Sequence, residues 1–330
     1  MSLIASSRIK PALKPALKPF ALHPGDTIGI VAPGEYPRNN SELFNARTLL
    51  EKAGFRVKIG EHVGKQNGYF AGSDAQRTAD FNGMLSNPDV RAILTWGSIW
   101  GATRLLPLID YDAVQRDPKL IIGCGNTTSL LNALHQRTGL VTLHGATLGT
   151  FYRSPYSYDA FIRALTSTEA LGSVGQPRQS SGIEVEYPPL MAYVSGKANG
   201  TLVGGSLSAL ALSLGTPDEI EMDGRIVLLE ARDIKPELIS RYFTVLLNSG
   251  KLTSAAGIVV AECVNCVSND TYNTFSFEGV LEDRLLSIGV PSLYGLRLGQ
   301  GRDGASVPLG VSATLDTAAR TLALDEAAFT

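Results

Sequence analysis

The stretch Leu120-Ile121-Ile122-Gly123-Cys124-Gly125-Asn126-Thr127-Thr128 leads from a short apolar run, through small and polar residues, into helical spacing from Ser129 to Arg137. A strand that opens through a tight turn onto a helix N-terminus is the repeating unit of a doubly wound α/β sheet. Such a turn also has the shape of a nucleophile elbow, which holds one side chain above the helix start. The exposed position here is Gly125, which has no side chain to attack with. The turn therefore reads either as an elbow stripped of its nucleophile or as a plain tight turn with open backbone N–H groups. Cys124 is the nearest nucleophile, but successive residues of a turn point in different directions.

Outward from this stretch, strand and helix alternate. Thr27 to Val31 reads as a buried strand ending in Ala32-Pro33-Gly34, and Ser41 to Ala53 as a helix with Ser41 as its N-cap and Gly54 as its stop. Strands Arg56 to Ile59 and Val90 to Thr95, and helices Asp74 to Leu85 and Thr103 to Leu108, complete a parallel sheet covered on both faces. Ligands of such sheets sit beyond the carboxyl ends of the strands, here the loops after Val31, Thr95 and Ile122. A stretch rich in Ser, Gly, Pro and Gln follows, and we place a linker at 167–196. Beyond it, Gly200 to Ser206 reads as a glycine-rich turn before a helix. Strands Arg225 to Glu230, Gly257 to Ala261, near Ser292 and across Ser306 to Ser312, with a helix from Lys235 to Asn248, predict a second, mixed domain. The expected organisation is an arm over 1–21, a Rossmann-like α/β domain over 22–166, the linker, and a C-terminal mixed α/β domain over 197–330.

Composition excludes several function classes. The chain has 330 residues, 44% hydrophobic and 18% charged, and a formal charge of -2. It carries no basic stripe for nucleic acid. No apolar run reaches the roughly 20 residues of a membrane span, and the start lacks the pattern of a signal peptide. Three cysteines, Cys124, Cys263 and Cys266, are too few for a secreted disulfide framework, which favours a reducing, cytoplasmic setting. Cys263-Val264-Asn265-Cys266 has the spacing of half a zinc knuckle or a redox motif, but no second ligand pair exists, and structural residues after a strand are expected. No metal and no cofactor are expected. The opening Lys10-Pro11-Ala12-Leu13-Lys14-Pro15-Ala16-Leu17-Lys18-Pro19 is a tandem repeat that reads as an extended arm. It is basic enough for an organelle-targeting segment but poor in arginine.

The elbow stretch resembles the LD-carboxypeptidase and microcin-immunity serine peptidases, which read Gly-Tyr-Ser-Asp-Ile-Thr at this place. Gly123 and Thr128 match, Gly125 stands for the serine, and Asn126 for the aspartate. The resemblance extends from Leu22 onward through Gly25-Asp26, Ala32-Pro33, Ala71-Gly72-Ser73-Asp74 with Arg77, Ile109-Asp110-Tyr111, His144-Gly145, Gly204-Gly205, Gly215-Thr216-Pro217 and Pro308-Leu309-Gly310. It implies that Glu230, ending Leu228-Leu229-Glu230, is the carboxylate that orients the family's histidine. The place of that histidine reads Gly299-Gln300-Gly301, and glutamine does not shuttle protons near neutral pH. Four histidines exist, His23, His62, His135 and His144; a structural role is expected for His144. The family's oxyanion loop, Arg-Gly-Gly-Tyr-Gly, reads Gly97-Ser98-Ile99-Trp100-Gly101, so Ser98 and Ile99 put side chains where backbone must approach substrate. Trp100 is either a core aromatic or a pocket wall.

Serine-peptidase chemistry is not expected, because nucleophile and base act as one unit. The leading expectation is a repurposed cleft of specialised-metabolite biosynthesis, acting on a small molecule by cyclisation, elimination or isomerisation. Glu230 would be the acid/base, and Gln300, Asn126 and the turn N–H groups would stabilise negative charge. Gly125, Cys124, Ser98, Ile99 and Trp100 would line the substrate. The alternatives are a non-catalytic ligand-binding pseudoenzyme, and a hydrolase using Cys124 or an activated water. The resemblance also implies a homodimer.

Overall fold

The computed structural model describes residues 14–36, 40–97, 101–176, 189–268 and 274–330. The N-terminal half runs β1 (Thr27–Val31), α1 (Asn40–Lys52), β2 (Arg56–Ile59), α2 (Asp74–Ser86), β3 (Val90–Thr95), α3 (Tyr111–Arg116), β4 (Leu120–Gly123), α4 (Thr128–Thr138), β5 (Thr142–His144) and α5 (Pro155–Thr166). Strands β6 (Gly172–Val174) and β7 (Met191–Val194) lie within the stretch expected to be a linker. There follow β8 (Lys197–Ser206), α6 (Leu207–Ser213), β9 (Ile226–Glu230), α7 (Pro236–Asn248), β10 (Gly257–Ala261), α8 (Phe277–Ile288) and β11 (Ser292–Leu296). The chain ends with β12 (Val307–Leu309), β13 (Ser312–Asp316) and β14 (Thr321–Leu324).

Local chemistry accounts for these boundaries. Ser73 and Gln76 close a reciprocal capping box on α2, Ser154 caps α5 ahead of Pro155, and α4 stops at Gly139 in a left-handed conformation. Ser41 lies inside α1 and does not cap it, since the helix already begins at Asn40. The helix expected near Thr103 is a 3-10 helix over Ala102–Leu108, where Pro107 withholds a backbone donor.

The strands form a six-stranded sheet of order β12-β5-β4-β3-β1-β2 and an eight-stranded sheet of order β6-β14-β13-β8-β9-β10-β11-β7. The first is parallel except for β12, which pairs antiparallel with β5. The single strand expected over Ser306 to Ser312 is therefore two strands, one in each sheet. Gly200 to Ser206 is the second half of β8, not a turn. Gly204 and Gly205 hold φ of +117° and +123°, and a Cβ at Gly204 would collide with the Leu228 carbonyl. Glycine is needed there so that β8 and β9 can approach. One apolar cluster runs through both sheets, from Ile28 and Leu94 to Leu228, Leu296 and Leu322.

The arm is laid down from Lys14 onward. Leu17 bridges Leu140, Lys18 pairs with Glu326 at 2.7 Å, and Ala21 N–H donates to the carbonyl of Thr330. No described helix is long and apolar enough to cross a membrane. Cys263 and Cys266 are joined in a disulfide, where two separate structural cysteines were expected. The turn holds their Cα atoms 5.9 Å apart, within bonding range.

Two outcomes follow. In air-oxidised, unfolded protein, alkylation should modify only Cys124 before reduction and all three cysteines after it, read by intact mass. Arg77 is 1% exposed, pairs with Asp74 and donates to the carbonyls of Pro33 and Gly101, so it joins two of the loops at the sheet's ligand edge. Replacing it as Arg77→Met should cost about 3 kcal/mol in denaturant unfolding, because it unpairs buried polar groups.

Candidate functional site

The centre of the site is the carboxylate of Glu230, the last residue of β9, which is 5% exposed. Three separate segments reach it. Gly125 N–H donates to its Oε1 at 2.9 Å, and Gln300 Nε2 donates to the same oxygen at 3.2 Å. His144 Nε2 stands 3.3 Å from Oε2 as an ion-pair contact without hydrogen-bond geometry, and His144 Nδ1 has no hydrogen-bond partner. Gln300 is 7% exposed and His144 fully buried.

The backbone makes this convergence feasible. Gly125 opens the 3-10 turn Gly125–Thr127 between β4 and α4 at φ +57°, in the left-handed region, as a strained elbow requires. Gly299, at φ +82°, lies so close that a Cβ would strike the Glu230 carboxylate. Pairing of Val307 with His144 in β12 and β5 brings the loop carrying Gln300 onto the N-terminal sheet.

Burial pushes the Glu230 carboxyl up. The neighbouring His144 imidazole, the Gly125 N–H and the Gln300 amide outweigh it, so the group sits below its ordinary value of 4.5. Glu230 is thus an ionised carboxylate at neutral pH, suited to accept a proton rather than to give one.

Glu230, Gln300 and Gly125 are therefore brought together. Cys124 is adjacent in sequence but fully buried, and burial, followed by the nearby Glu230 charge, pushes its thiol well up. It presents no surface to a ligand in this state and is held as a neutral thiol. Asn126 is half-buried on the elbow turn, and its carbonyl accepts from Ser129 Oγ at 2.7 Å. Ser98, Ile99 and Trp100 lie outside the described residues. Sequence reasoning undervalued His144, whose ring faces the carboxylate. It also missed Arg153 and Arg232, whose Nη1 atoms both donate to the Gln300 carbonyl, at 3.4 and 3.1 Å. The only signal in the sequence was the position of Arg232, two residues beyond Glu230.

Because the folded carboxyl titrates below its ordinary value, the unfolded chain binds more protons in the acidic range. The contribution of Glu230 to stability is complete above pH 4.5 and is lost as pH falls through the folded value. The stability difference between wild type and E230Q should therefore be flat from neutrality down to about pH 5.5 and shrink below it, measured by urea unfolding at a series of pH values.

The chain matches the family models of the LD-carboxypeptidase N-terminal domain over residues 28–145 and the LD-carboxypeptidase C-terminal domain over residues 199–315. It is 38% identical over 308 residues to a probable murein peptide carboxypeptidase of Bacillus subtilis, covering 93% of this chain and 94% of that one. It is 27% identical over 327 residues to the microcin self-immunity protein MccF of Escherichia coli, covering 92% and 94%. A solved structure of MccF in an inactive mutant apo state superimposes with a TM-score of 0.85 at 26% identity, covering 95% of this chain and 100% of that one. Another, with aspartyl sulfamoyl adenosine, gives 0.83 at 25% identity over the same shares. Two domain models, full-length relatives and the two-sheet architecture agree: the chain belongs to the LD-carboxypeptidase family.

Proposed function

We propose that the cleft takes a small amide- or amino-acid-like molecule and carries out a non-hydrolytic reaction, a cyclisation, elimination or isomerisation, with Glu230 as the proton acceptor. The observation that carries this reading is a buried, ionised carboxylate flanked by an elbow residue without a side chain and by an amide. Acyl transfer through an enzyme ester needs a nucleophile and a proton shuttle. Gly125 supplies no nucleophile, Gln300 does not titrate, and Cys124 is a buried thiol. His144 is fully buried and acts through Glu230, holding its charge. That MccF has been solved with aspartyl sulfamoyl adenosine supports an aminoacyl-like ligand in the corresponding cleft.

A carboxylate of lowered pKa is a modest base, so it suits a proton already acidified by a neighbouring carbonyl. When Glu230 accepts that proton, negative charge passes to the substrate. The Gly125 N–H and the Gln300 amide, which face the carboxylate at rest, then lose their anion and are placed to follow the charge, with Asn126 beside them. The same low pKa favours a second reading, a cleft that binds without turnover.

Incubation with a murein tetrapeptide or with aspartyl sulfamoyl adenosine should release no amino acid by mass spectrometry; release by wild-type protein would sink the non-hydrolytic reading. Against a cell metabolite extract, wild type should convert a compound into an isomer or a product of elimination, and E230Q should not. Equal profiles for both proteins, with a ligand retained on each, would favour the binder.

A further inference from the structure

Two arginines converge on one neutral atom at the cleft. Arg153 precedes the N-cap of α5, and Arg232 follows Glu230 by two residues in the loop after β9. Both guanidinium groups donate to the Gln300 carbonyl, at 3.4 and 3.1 Å. Their remaining bonds are local. Arg153 Nε donates to the Gly149 carbonyl at 2.9 Å, and Arg232 Nε to Asp233 Oδ2 at 3.2 Å. The Asp233 side chain is 59% exposed, so it neutralises little. Among the described residues Arg153 has no carboxylate within ion-pair distance. Glu42 attracts it from farther away, but Glu42 Oε2 accepts from Trp96 Nε1 at 3.1 Å. Glu230 is engaged by His144, Gly125 and Gln300.

Two like charges held beside one carbonyl oxygen repel each other, and a carbonyl cannot neutralise them. Burial and then the Arg232 charge both push the Arg153 guanidinium below its ordinary value. Both side chains stay accessible, Arg153 being exposed and the Arg232 side chain 30% exposed. Each uses only its Nε and Nη1 in these bonds and keeps further N–H groups in the planar fork that suits a bidentate oxyanion.

We propose that Arg153 and Arg232 form a two-pronged receptor for an anionic group of the ligand, a carboxylate or a phosphate, at the mouth of the cleft beside Gln300. This rests on the reading that the cleft takes a small molecule, and on no particular chemistry at Glu230. The anion relieves the repulsion between the guanidinium groups and orients the rest of the ligand toward the Glu230 carboxylate.

The test uses the full chain with arginine Nε labelled for NMR, titrated at fixed ionic strength with succinate, inorganic phosphate and neutral succinamide. The Arg153 and Arg232 signals, assigned by their loss in R153Q and R232Q, should shift saturably with succinate or phosphate and stay still with succinamide. Tighter binding of one anion identifies the group preferred. Each single variant should weaken binding about ten-fold or more, as loss of charged hydrogen bonds implies, and the double variant should abolish it. E230Q should retain anion binding whether or not it converts any metabolite, which separates this proposal from the role given to Glu230. Shifts that do not saturate, equal shifts with succinamide, or undiminished affinity in the double variant would overturn it.

Discussion

A carboxylate removed from water must be surrounded by donors or by opposite charge, and at Glu230 these come from three segments far apart in the chain. Gly125 belongs to the turn between β4 and α4, His144 to β5, and Gln300 to the loop before β12. Meeting the demands of one buried charge therefore ties the N-terminal sheet to the end of β9 in the C-terminal sheet. The glycines nearby answer the same demand. Gly299 leaves room for the carboxylate, and Gly205 leaves room for the Thr128 hydroxyl and the His144 ring.

The topology that allows this is the return of β12 to the N-terminal sheet. Its antiparallel pairing with β5 sets Val307 opposite His144, so the preceding loop passes over the end of β9. Without that pairing Gln300 would have no fixed relation to either Gly125 or Glu230. The loop is held in turn by Arg153 from one side and Arg232 from the other. The site is thus a junction of three elements, with two arginines held against the loop that also contacts a buried carboxylate.

Much of this was legible in the residues themselves. The apolar run of β4, the glycines after it and the helix pattern of α4 gave both the doubly wound fold and the elbow. Leu228-Leu229-Glu230 placed the carboxylate at a strand end. What was not legible depended on long-range pairing. His144 looked structural because the resemblance matches it to a His-Gly pair read as scaffold, and the residue it faces is reached only through the fold. Gly200 to Ser206 looked like a turn because glycine usually signals one; here it lets two strands approach. The edge strands β6 and β7 carry little alternation, since edge positions are only half-buried. Arg153 and Arg232 carried no motif, and only the folded loop makes them neighbours.

The presence of Glu230 beside Gly125 and Gln300 has a physical reason apart from chemistry. Replacing a buried ion pair by apolar residues is often neutral or stabilising, provided both partners and their donors are replaced together. Here one of those donors is a backbone N–H, that of Gly125, which no substitution of a side chain removes. An apolar residue at 230 would leave that N–H buried and unpaired, along with the Gln300 amide and a charged or neutral His144. A glutamine at 230 can still accept from the N–H with its carbonyl oxygen, but its amide brings a donor to a cluster already made of donors. The backbone donor of Gly125 therefore ties the site to an acceptor at 230, whatever side chain stands at 300.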